Sequence, residues 1–98
     1  MLYDKIIEEL VHAGVEYKQS PVMRYDGVNT LDVVLKNAEA TIEYLDNNGG
    51  FCKIPQKELK EISTRIVKGD IYYHFYIGYG CLKLKPENII DLTVYEVV

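Results

Sequence analysis

The stretch from Asp70 to Lys85 limits the folds open to this chain more than any other. It holds five of the eleven aromatic residues and ends near the glycine pair Gly78 and Gly80. Ile71, Tyr73, Phe75, Ile77 and Tyr79 fall on odd positions, and Tyr72, His74 and Tyr76 on even ones. A strand through them therefore turns one apolar face to a core and a second, aromatic face away from it. Beyond Gly80 the apolar residues change parity, to Leu82 and Leu84. A β-bulge makes such a one-residue switch and glycine permits it, so a bulge or sharp bend is expected from Gly78 to Cys81.

Around that strand the chain reads as alternating helices and extended pieces. Leu2, Ile6, Ile7, Leu10 and Val11 recur at helical spacing and Gly14 follows them, which predicts an amino-terminal helix with His12 in its last turn. Val15 to Gln19 alternates as a short strand does, Pro21 closes it, and Asp26-Gly27 is a turn dipeptide. Between Thr30 and Leu45, the steps Leu31, Leu35, Ala38, Ile42 and Leu45 predict one amphipathic helix. A competing alternation, Leu31-Val33-Leu35 and Ala40-Ile42-Tyr44, would instead make two strands with Lys36 to Glu39 as their turn. Pro55 at a first helical turn, followed by Leu59, Ile62 and Ile66, predicts a further helix that stops at Gly69. Ile90, Leu92 and Val94 then form a last strand, expected to pair with Tyr72 to Leu84.

The expected architecture is a single α+β domain over residues 1–98, with two or three helices on one face of an antiparallel or mixed sheet of three to five strands. No apolar run reaches the roughly 18 residues of a membrane span, and Met1 to Leu10 is acidic and amphipathic where a secretory signal would be basic and then apolar. A cytoplasmic protein without membrane attachment is therefore expected. Cys52 and Cys81 belong to no CxxC motif and stand far in sequence from His12 and His74. They read as reduced, buried thiols, with no metal and no cofactor.

The net charge of −4 is distributed in blocks. Met1 to Gly50 carries four basic and nine acidic residues, Phe51 to Lys85 seven basic and three acidic, and Pro86 to Val98 three acidic and none basic. The blocks amount to −5, +4 and −3, and the positive one contains the aromatic strand.

Two constellations follow. Tyr72, His74, Tyr76 and Tyr79, with Lys68 and Lys83 at the ends of the strand, are the candidate binding residues, since wet tyrosines serve protein contacts and rings beside lysines serve single-stranded RNA or DNA. On a helix from Thr30 to Leu45, Asp32, Glu39, Glu43 and Asp46 would line one side, with carboxylates about 6 Å apart. Such an acidic face can compete for a basic nucleic-acid groove. No pair of carboxylates, nucleophile with base, or phosphate-cradling glycine loop stands out as catalytic. The sequence therefore suggests a small, acidic, non-enzymatic interaction module that binds a protein partner. An inhibitor or modulator of a host nucleic-acid-processing protein, carried by a phage or other mobile element, suits that description. The alternative is a single-stranded RNA- or DNA-binding domain, and a homodimer would also occupy an aromatic face.

Overall fold

The computed structural model describes residues 1–98. One helix, α1 (Tyr3–Ala13), opens the chain, and its buried residues are Ile6 and Leu10, one turn apart. Gly14 ends it in the left-handed region at φ 74°, and its N–H donates to the Val11 carbonyl at 3.1 Å. Nine strands follow: β1 (Glu16–Gln19), β2 (Arg24–Tyr25), β3 (Val28–Asn29), β4 (Val33–Lys36), β5 (Ala38–Leu45), β6 (Phe51–Val67), β7 (Asp70–Ile77), β8 (Gly80–Leu84) and β9 (Ile89–Glu96). Strands β2 and β3 make a separate hairpin around Asp26 and Gly27, and the other seven form one curled antiparallel sheet.

The 17-residue β6 is the spine of that sheet. One of its edges is paired by β5 along its first half and by β4 along its second; the other edge is paired by β7 along the second half only, with β8 beyond. Strand β1 joins the far side of β4, and β9 the far side of β5. Asn37, at φ 54°, is the corner between β4 and β5.

The inner face carries the core. Val33, Ile62, Phe75 and Leu82 stand opposite one another across β4, β6, β7 and β8, and Ala40 and Val94, then Ile42 and Leu92, do so across β5 and β9. Ile6 and Leu10 of α1 complete this cluster with Tyr73 and Phe75, all wholly buried. Glu9 of α1 also accepts the Val94 N–H at 3.0 Å, so the helix caps part of the outer edge of β9.

These findings correct the expected architecture. The protein is mostly sheet with a single helix, and seven strands rather than three to five make the sheet. Thr30 to Leu45 is not a helix but the bent pair β4 and β5, and Pro55 to Val67 is the second part of β6. Pro55 lies at a bulge, where Pro55 and Gln56 face the single residue Thr41, so the ladder does not need its missing N–H. The parity switch after Ile77 is a tight hairpin: Ile77 faces Gly80 across Gly78 and Tyr79, so the strand reverses instead of bulging. Strand β9 pairs with β5, not with the aromatic strand.

Candidate functional site

Strand β7 alternates as its sequence dictates. Tyr73, Phe75 and Ile77 are buried on the inner face, while Tyr72, His74 and Tyr76 are half-buried on the outer one. Helix α1 packs on the inner side, and a short 3-10 turn, Pro86–Asn88, meets the Tyr72 end of β7. Cross-strand register then sets their neighbours. Tyr72 faces Arg65 of β6; His74 lies between Ser63 of β6 and Lys83 of β8; Tyr76 lies between Glu61 and Cys81. Opposed residues of an antiparallel pair have Cβ atoms about 5 Å apart, so each row is a contact. Lys85 brings its Nζ to 5.9 Å from the centre of the Tyr72 ring, within cation–π reach, and to 3.9 Å from the Asp70 carboxylate.

His74 reports the electrostatics of this face. Burial, and then the positive charges of Lys83 and Arg65, hold its imidazole below the ordinary value, so the ring is predominantly neutral at neutral pH. Beside it, Ser63 is only 3% exposed and its hydroxyl has no hydrogen-bond partner.

The remaining binding candidates sit at the two ends of β7. Lys68 is exposed in the Lys68-Gly69 turn between β6 and β7, and Tyr79 is fully exposed in the Gly78-Tyr79 turn between β7 and β8. The eight residues of β7 separate these tips by about 25 Å. Lys83 is on the face itself.

Without a helix, the four acidic candidates do not share one face. Asp32 accepts the Thr64 N–H at 3.1 Å and ties β4 to β6. Asp46 organises the β5–β6 turn, accepting the N–H groups of Asn48 at 2.9 Å and Gly50 at 2.7 Å. Only Glu39 and Glu43 stay together, on the outer face of β5: Glu39 lies between Glu58 of β6 and Tyr95 of β9, and Glu43 between Lys53 of β6 and Asp91 of β9. The outer surface of the sheet is thus acidic over β5 and β9 and aromatic with cations over β6 to β8.

Arg65, Lys85 and Ser63 were not among the expected site residues. The helical reading of Pro55 to Val67 hid Arg65 and Ser63, although polar Glu61, Ser63 and Arg65 alternate with Ile62 and Ile66 as strand faces do. The thiols also differ from expectation: both are free, but Cys81 is exposed and Cys52 half-exposed. The hairpin sets Cys81 diagonal to His74, about 7 Å away, without the hydrogen bond that a nucleophile and its base require. Five surface concavities of about 150 to 350 Å³ have neither His74 nor either cysteine in their walls; the one beside Tyr72 measures about 150 Å³ and includes Tyr44, Lys83 and Asn88.

No group of three or more His, Cys, Asp or Glu residues is placed to hold a metal ion. No helix is long and apolar enough to cross a membrane. Comparison with protein-family models, with curated proteins and with solved structures finds no match.

Proposed function

We propose that this protein is a non-catalytic recognition domain that contacts another macromolecule through the outer face of β6, β7 and β8. The observation that carries the reading is the two-sided use of β7: its odd residues Tyr73, Phe75 and Ile77 are buried in the core, and its even residues Tyr72, His74 and Tyr76 stay partly exposed on the opposite face. Keeping three adjacent aromatic or imidazole side chains partly wet forgoes hydrophobic stabilisation of the order of 1 kcal/mol per side chain, a cost that a binding surface explains. Contact through an acidic helix has no support, because Asp32 and Asp46 are engaged in backbone hydrogen bonds and the helix itself does not form. A modulator of a nucleic-acid-processing protein would act through the same aromatic face.

The test is capture from extracts of the source cell with the immobilised full chain. The wild type should retain a stoichiometric macromolecule that Tyr72→Ser/Tyr76→Ser loses and Glu39→Gln/Glu43→Gln keeps. Equal retention by a Tyr72→Ser/Tyr76→Ser protein that melts cooperatively would refute the assignment.

A further inference from the structure

We infer that the partner of this face is single-stranded nucleic acid, an inference that rests on the face being the contact surface. Rings at every second residue of β7 stand about 6.6 Å apart, and a π-face accepts any base that is out of its helical stack. Cations stand beside Tyr72 and His74, whereas Tyr76 faces Glu61 and Cys81, and Asp70 shares the Lys85 ammonium. Arg65 is opposite Tyr72, Lys83 is opposite His74, and the Lys85 ammonium is 5.9 Å from the Tyr72 ring. Bases over the rings therefore put phosphates within reach of side chains on both flanking strands, Arg65 on one side and Lys83 and Lys85 on the other.

Charge also sets the limits of the track. Glu39, Glu43, Glu58 and Asp91, with Lys53 as the one cation among them, give the adjoining part of the same outer surface a net negative charge that disfavours a polyanion, while Lys68 lies beside Asp70 at the β6–β7 tip. The strand is thus confined to β6–β8 and runs along β7 towards Tyr79. A protein interface of this size would place charge-poor apolar residues at its centre. Here the central exposed pair is His74 and Lys83, a polar one. Duplexes keep their base faces stacked and unavailable to the rings, so recognition is of single strands.

The experiment is fluorescence anisotropy of the full chain with labelled oligo(dT), oligo(rU) and a duplex, each of about twenty nucleotides. Both single strands should bind, and the duplex at least about tenfold more weakly. With three cations engaged, the affinity should fall about twentyfold between about 50 and about 200 mM salt. Arg65→Gln or Lys83→Gln should each lower the salt slope by about 0.7. Tyr72→Ala and Tyr76→Ala should each weaken binding about tenfold, whereas Tyr72→Phe should bind as the wild type, because stacking does not use the hydroxyl. If neither single strand binds, or the duplex binds equally, the inference is overturned. The face remains a contact surface in that event if its variants still lose a captured protein. Oligonucleotide binding that is indifferent to Tyr72→Ala/Tyr76→Ala in a folded variant overturns the inference, and equal capture of a macromolecule by the same variant overturns the contact face as well.

Discussion

Tyr73 shows at the residue scale how tightly the inner face is closed. Its ring is wholly buried, its hydroxyl donates to the Asn29 carbonyl at 2.9 Å, and burial, followed by the nearby Asp4 and Tyr3, pushes its pKa up to about 12. The folded value lies above the 10.0 of a free phenol, so the neutral side chain contributes its full stability below pH 10 and loses it as the pH rises towards 12. Alkaline unfolding followed by circular dichroism should therefore steepen in that window. Tyr73→Phe should flatten it, at a cost of about 1 kcal/mol at neutral pH for the lost hydrogen bond. Ser63 is the opposite case, a buried hydroxyl without a partner. Ser63→Ala should raise stability by about 1 kcal/mol in a denaturant titration, because it removes a desolvated group that nothing pairs.

At the scale of elements, irregularities in strands explain both what the sequence disclosed and what it concealed. The amino-terminal helix, the extended Val15 to Gln19 segment and the Asp26-Gly27 turn were legible because caps, alternation and turn chemistry agreed locally. The two false helices share one cause. Asn37 inserts a left-handed corner, so the buried positions run Leu31, Val33, Leu35 and then Ala38, Ala40, Ile42; the step of three at the corner mimics a helical repeat. Lys60 is the extra residue of a bulge opposite β7, and it puts Leu59 and Ile62 on the same face three residues apart. Ile90 does the same between Ile89 and Leu92. The outer face of β7 and Lys83 were legible from the sequence, whereas Arg65 on β6 and Lys85 just beyond β8 required the strand pairing. Asn37 makes the point testable: Asn37→Val should cost about 1–2 kcal/mol, because a β-branched residue resists φ 54°. Asn37→Gly should stay within a few tenths of the wild type. Paired denaturant titrations check both.

At the scale of the whole molecule, a curled sheet with one helix has edges to manage. The first half of β6 lacks a partner on one side, and the exposed residues Lys53, Pro55 and Lys57 discourage another strand from adding there. On β9 the protection comes from Glu9, whose carboxylate occupies the Val94 N–H. Glu9→Ala should lower stability by about 1–2 kcal/mol and, at high concentration, raise light scattering through edge association. With the edges guarded and the inner face filled, the proposed recognition falls to the outer face of β6–β8, where partly exposed rings stand beside Arg65, Lys83 and Lys85. The most direct test is a nuclear magnetic resonance titration of the isotopically labelled full chain with oligo(dT). The account predicts that amide shifts concentrate at Glu61 to Arg65, Tyr72 to Tyr76 and Cys81 to Lys85, leaving Glu39, Glu43, Asp91 and α1 unmoved. Shifts centred on β5, β9 or α1, or none at all, would contradict it.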